Sequence, residues 1–326
     1  MKAFELLRPK TAEAAAGVLG EGALLKAGGV DVLDRLKERV DEPARLVSLV
    51  DVGGDHGAIV RDGDTIRIGA GATLAQMATS DAIPSSLREA AMQAASRQIR
   101  SLATLGGNLC QHTRCGYYRL KSFPCLKRGD DTCPVLADGA VQETAGIYAN
   151  RPCACAHPSS LAPALGTANA VLHVVGAKGR REVAFADLWA APEKGRASDT
   201  VLAASEVITH VVLDARDPAA GWRVAHEEIR QKAAFDWPLV TCAVALRAEG
   251  GTVAEASVWL GAVAPTPVRS EAAEAALTGK PFDQGLAAKA GEAAVVGATP
   301  LAGTRYKVQL VKVAVRRALV KAWGRS

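Results

Sequence analysis

Six of the chain's seven cysteines fall between Cys110 and Cys155, and the seventh, Cys242, stands alone in an apolar run. The stretch that holds the six, residues 110–157, shows little of the apolar periodicity that marks helices or strands, and Pro124 and Gly129 break it further. An irregular segment of this length is uncommon inside a compact domain unless it has a task. A disulfide framework belongs to short secreted chains, whereas an odd, clustered set of thiols in a large chain points to metal. The chain must therefore fold as regular domains around a loop that binds something.

With 326 residues the chain is too long for one ordinary core. It is 49% hydrophobic and 4% aromatic, which suits an α/β or α+β protein. The net charge of +5 is modest and its basic residues are scattered, so no nucleic-acid surface is expected. The opening MKAFELLRPKTAEAAAGVLG lacks the apolar core of a signal peptide, and no apolar run of about 18 residues could cross a bilayer. A cytoplasmic location is the default expectation. Periplasmic export stays open if a signal-bearing partner carries the folded chain.

Regular structure is predicted on both sides of the loop. Residues 11–20 read as a helix capped by Thr11, ALLK as a strand, and the sequence from Asp31 as a helix with Leu33, Leu36 and Val40 on one face. RLVSLVDV reads as a buried strand, AIVRDGDTIRIG as a hairpin about Asp62-Gly63-Asp64, and SLREAAMQAASRQI as one amphipathic helix. Strands follow in AVLHVVGAKGRREVAFADL and EVITHVVLDA. Beyond Gly221 three long strands precede helices at 270–278, 284–295 and 306–322, the grouping of a separate α+β domain. The boundary is placed in LDARDPAAGW, giving domains 1–216 and 217–326.

Two glycine pairs are candidates for binding an anion. Gly28-Gly29 sits between a strand and a helix, where backbone N–H groups can approach a phosphate, although neither Rossmann nor P-loop spacing is present. Gly106-Gly107 is flanked by Thr104 and Asn108. Either pair alone reads equally well as a tight turn; together they suit a dinucleotide. The thiols are spaced Cys115-x9-Cys125-x7-Cys133-x19-Cys153, without the short knuckles of zinc fingers. Such a spread suits a cubane whose irons face different directions, with zinc and unliganded thiols as the other readings. Lys121, Lys127 and Arg128 would offset a cluster's negative charge. His157, before a proline, reads as a turn residue, and Lys232 and Trp237 flank Asp236 at a solvated strand end or a cofactor edge. Nothing resembles a Ser-His-Asp triad or paired catalytic carboxylates.

The ordered set KAGGVDVL, IRSLATLGGNL, HPSSLAPAL and GAVAPTPVRSEAAEAAL resembles the FAD-binding subunit of the molybdenum hydroxylases, the xanthine dehydrogenase family. The resemblance runs from about residue 3 to about residue 322. It implies an α+β fold: a two-lobed FAD-binding domain of the vanillyl-alcohol-oxidase kind, with lobes 1–53 and 54–216, then a smaller α+β domain of the carbon monoxide dehydrogenase flavoprotein kind. It further implies that Lys26, Ala27, Gly28, Gly29, Val30, Asp31 and Val32 wrap the pyrophosphate. Ala103, Thr104, Gly106, Gly107, Asn108 and Gln111 would hold the other side of the FAD, with Ser159, Ser160 and Lys232 near the flavin. The family commonly has Asp where this chain has Ser160.

Within that family, the 4-hydroxybenzoyl-CoA reductase type and the bacterial periplasmic aldehyde oxidoreductase type carry a cysteine loop that binds a [4Fe-4S] cluster. TRCGYY, FPCLKR and a cysteine four residues before His157 resemble the latter more. That resemblance selects Cys115, Cys125, Cys133 and Cys153 as ligands and leaves Cys110 and Cys155 spare. The function it implies is electron transfer through FAD to an external acceptor. The implied partners are a large molybdenum-cofactor subunit and a small subunit with two [2Fe-2S] centres. A stand-alone FAD oxidase and a zinc-stabilised scaffold are the rival expectations.

Overall fold

A computed structural model of the chain describes residues 1–232 and 236–324. The first lobe is a three-stranded parallel sheet, built from β1 (Glu5–Leu7), α1 (Ala12–Val18), β2 (Ala23–Lys26), α2 (Val30–Lys37) and β3 (Arg45–Ser48) in strand order β1-β3-β2. Parallel neighbours need a crossover, and the two helices supply it. Thr11 caps α1 by accepting the Ala14 N–H, as its sequence position implies. Val32 and Leu36 of α2 are buried against Leu46 of β3. Val40 lies beyond the helix, which ends at Lys37 before Arg39 takes a positive φ of 56°.

The second lobe is a five-stranded antiparallel sheet with helices on one face. Its elements are β4 (Ile59–Asp62), β5 (Thr65–Gly69), α3 (Leu74–Thr79), α4 (Ser85–Gln93), α5 (Arg97–Arg100), α6 (Leu105–Leu109), α7 (Gly116–Arg119), α8 (Ala162–Thr167), β6 (Val171–Gly176), β7 (Gly179–Ala184) and β8 (Val207–Asp214). Strand order is β4-β5-β8-β6-β7. The single helix expected over SLREAAMQAASRQI is two: Ala95 turns the chain at a φ of 48°, and Ser96 caps a new helix by accepting the Ile99 N–H. Gly106-Gly107 is likewise not a turn but the opening of α6, capped by Thr104.

The C-terminal domain is a four-stranded antiparallel sheet, β9 (Trp222–Ile229), β10 (Val240–Glu249), β11 (Thr252–Gly261) and β12 (Val268–Arg269), in order β12-β11-β10-β9. It is covered by α9 (Glu271–Leu277), α10 (Gln284–Ala294) and α11 (Arg305–Trp323). Val244, Leu246, Val258 and Leu260 of the strands and Val311, Val315 and Leu319 of α11 form its core. Trp259 of β11 and Ala243 of β10 instead point into the second lobe's core. Gly166 of α8 permits that contact, since a Cβ there would lie 2.5 Å from the Trp259 ring. The domains thereby share apolar packing, which sets the wall between them firmly.

Candidate functional site: a glycine-lined cavity beside a thiol cluster

A cavity of about 480 Å³ opens where the two lobes and the C-terminal domain meet. Ala27, Gly28, Gly29, Val30, Asp31 and Val32 line it from the first lobe, and Ala103, Thr104, Gly106, Gly107, Asn108, Gln111 and Ser160 from the second. Two stretches far apart in sequence thus reach one space. Lys26 and Ser159 are not on that lining. The Lys26 amine turns back to the Ala27 carbonyl at 3.2 Å, while the Ser159 hydroxyl donates to Asn108 Oδ1 at 2.6 Å and ties α6 to the start of α8. Lys232 is exposed and also off the lining, although Asp236, Trp237 and Pro238 are on it.

The glycines are there because backbones meet. A Cβ on Gly28 would stand 1.6 Å from the carbonyl oxygen of Leu102, so the first glycine turn presses directly on the segment leading to the second. Gly29 caps α2 at a φ of 86°, a conformation in which an L side chain is strained. Gly106 and Gly107 present bare backbone to the cavity, and the Thr104 hydroxyl accepts the Gly107 N–H at 3.2 Å.

Asp31 does something the sequence did not disclose. Its carboxylate is 2.7 Å from Arg119 Nη2, 3.2 Å from Arg114 Nη2 and 3.1 Å from Arg35 Nε, and it also accepts the His112 N–H at 3.2 Å. Burial alone would raise its pKa, but the three guanidiniums bring it below the ordinary carboxylate range. Asp31 therefore fastens the glycine turn to the start of the cysteine loop. Arg114 lines the cavity, lies 4.4 Å from the Trp237 ring, and keeps a buried Nε without a hydrogen-bond partner among the described residues. Arg114 and Glu228, the latter on the cavity wall from β9, were missed in the sequence because only the tertiary fold brings them here.

The cysteine loop is ordered by anchors on both sides. Arg128 donates to the carbonyls of Tyr117, Tyr118 and Phe123, Lys127 pairs with Asp199 in full burial, and the Ile147 N–H reaches the Val263 carbonyl of the C-terminal domain at 2.6 Å. Arg128 is thus occupied by the loop's own backbone. Cys115, Cys133, Cys153 and Cys155 pack with Leu126, and Cys125 precedes that leucine and acts on Cys115. None is in a disulfide. The Cys133 thiol is pushed up by its contact with Cys153 and by burial, and burial with the neighbouring Cys133 and Cys125 raises Cys115. A metal binding to these thiols would displace their protons. Among the described residues, no group of three His, Cys, Asp or Glu side chains stands ready to hold a single metal ion.

Cys155 sits with the four thiols rather than apart from them, whereas Cys110 lines the cavity, its thiol pushed up to about 12 by burial. His157 is a buried residue and not an exposed turn: it lies edge-on to Trp189 at 4.7 Å, and burial together with nearby Lys127 lowers its pKa to about 3.

The family described as the FAD-binding domain in molybdopterin dehydrogenase matches residues 2–213. This chain belongs to that family. Residues 225–322 match a second description, the CO dehydrogenase flavoprotein C-terminal domain, so the FAD-binding subunit has the two-domain α+β architecture of its relatives. It is 32% identical to the aldehyde oxidoreductase FAD-binding subunit PaoB of Escherichia coli K12, with 99% of each chain covered. It is 28% identical to the carbon monoxide dehydrogenase medium chain of Hydrogenophaga pseudoflava, over 99% of this chain and 98% of that one. The solved structure of carbon monoxide dehydrogenase from Hydrogenophaga pseudoflava superimposes with a TM-score of 0.77, covering 99% of this chain and 98% of that chain. The FAD-binding subunit is thus an oxidoreductase component with an electron-transfer role, and membership implies a multisubunit complex.

The cavity fits the nucleotide on its own terms. Bare glycine backbone and an unpartnered buried arginine nitrogen suit a diphosphate, and the wall is otherwise largely apolar, with Leu25, Leu74, Ile99 and Ile208 on it.

Proposed function

We propose that this FAD-binding subunit serves a molybdenum-containing aldehyde oxidoreductase, taking electrons from partner subunits and passing them through FAD to an external acceptor. The observation that carries this reading is the convergence of both glycine pairs on one cavity, with a nest of buried and half-buried free thiols following the second pair in sequence. FAD, when bound, supplies the hydride and electron chemistry. The protein's part is placement. Gly28 and Gly29 bring their backbone to the cavity wall where the diphosphate would lie, Arg114 offers its free Nε, and Asp31 holds both to the cysteine loop.

The proposal assigns a [4Fe-4S] cluster to Cys115, Cys125, Cys133 and Cys153, since in such clusters each thiolate serves a different iron. Cys155 is the alternative fourth ligand, because its thiol touches that of Cys153. Lys127, held in place by Asp199, acts on both Cys153 and Cys155 and supplies positive charge beside them. Cys110 lies on the cavity wall between Asn108 and Gln111 in sequence and is not among the proposed cluster ligands.

The substrate pocket would belong to a large molybdenum-cofactor subunit, reached through a small subunit with two [2Fe-2S] centres. Among the described residues no helix is long and apolar enough to cross a membrane. Compartment would follow from the partners. The test is oxidation of aromatic and aliphatic aldehydes by the isolated chain and by the assembled complex. Turnover should require the complex. Equal turnover by the isolated chain would establish a stand-alone oxidase instead.

A further inference from the structure

Glu228 lies on β9 in the C-terminal domain and lines the cavity that both glycine turns enter. Its side chain is 1% exposed. One oxygen, Oε1, is 3.2 Å from Arg230 Nε. The other, Oε2, has no hydrogen-bond partner among the described residues. His226 Nε2 stands 3.7 Å from it, beyond hydrogen-bond reach, and neither nitrogen of that buried histidine has a hydrogen-bond partner among the described residues.

Arg230 offsets the charge of the Glu228 carboxylate at Oε1, but an oxygen buried without a donor still bears its own desolvation cost, and few such groups survive in folded proteins. Here the unsatisfied oxygen belongs to a residue on a cavity wall, so a donor arriving from outside the chain can satisfy it. We propose that Glu228 is a nucleotide-contacting residue whose Oε2 accepts a hydrogen bond from an N–H or O–H group of the bound flavin nucleotide. The inference rests on assigning the cavity to FAD, and it adds a charged contact from the C-terminal domain.

The charges of the site then separate sensibly. Arg114 and the glycine backbones suit the diphosphate, and the Asp31 carboxylate beside them is offset by three guanidiniums. Glu228 is left for the parts of the nucleotide that carry donors: the ring imide, the ribityl hydroxyls or the adenine amine. Arg230 does not depend on Glu228 alone, because its Nη1 donates to the Gln93 carbonyl at 3.1 Å. Removing the carboxylate therefore does not leave the guanidinium without a partner.

The test uses the full chain, stripped of flavin and titrated with FAD, as wild type, Glu228→Gln and Glu228→Leu. The leucine variant should bind FAD about tenfold more weakly or worse, as expected for losing a hydrogen bond to a charged acceptor. The glutamine variant, which keeps an acceptor oxygen, should fall between. The flavin-free unfolding midpoint of both variants should stay level or rise, because a buried charge without full compensation has gone. A midpoint potential that rises in the glutamine variant would place Glu228 at the flavin ring, and an unchanged potential with weakened binding would place it at the ribityl chain or adenine. Unchanged FAD affinity with a lower flavin-free midpoint would overturn the proposal and make Glu228 a structural residue. No FAD binding by wild type would instead sink the assignment of the cavity.

Discussion

At the scale of single residues, Gly28 and Gly29 look interchangeable in sequence and are not so in structure. A methyl on Gly28 collides with backbone, the Leu102 carbonyl at 1.6 Å, whereas one on Gly29 meets the ends of Leu33 and Lys26 at 3.1 and 3.2 Å. Gly29→Ala should cost about 1–2 kcal/mol, the penalty for an L residue in the left-handed region. Gly28→Ala should cost roughly 3 kcal/mol or more and lose most bound flavin, because two segments of the cavity wall must part. Urea unfolding and flavin content of the two variants check this ordering. Equal behaviour would mean that the close approach at Gly28 is not maintained in solution.

Elements explain how much could be read before folding. The long strands and helices of the C-terminal domain were legible because apolar period and length agree there, and α1 was legible through its Thr11 cap. The break at Ala95 was not, since alanine in a left-handed conformation carries no sequence signal. Nor was α6, where two consecutive glycines argue for a turn and the Thr104 cap with buried Leu105 and Leu109 overrides them. The glycine pairs could be singled out as anion-binding candidates, but Arg114 and Glu228 reach the cavity only through tertiary approach. Lys307 of α11 is a comparable surprise: 1% exposed, it donates to the carbonyls of Thr144 and Ala262 and so clamps the cysteine loop's neighbourhood to the end of β11. Burial lowers its pKa from 10.5 to about 8. Between those values the unfolded chain holds a proton that the folded chain has lost, so this group makes stability rise with pH across that window. The contribution is at most about 3 kcal/mol. Unfolding free energies of wild type and Lys307→Met should converge or cross in favour of wild type from pH 8 to pH 10.5. Parallel profiles would contradict the burial of a neutral amine.

At the scale of the whole molecule, three sheets meet at one cavity, and the cysteine loop is braced by all of them. Asp31 ties it to the first lobe, Asp199 of the second lobe fixes Lys127 beside its thiols, and Val263 receives its returning limb. That bracing suits the proposed pairing of FAD with an iron–sulfur cluster, which needs two electron carriers at a fixed separation. On the proposed function the cavity and the thiols hold two different cofactors at once. Flavin, iron and acid-labile sulfide should therefore be measured together on anaerobically purified protein. The expected result is about one FAD, four irons and four sulfides per chain. Stoichiometric zinc without sulfide, or flavin with no iron, would contradict it.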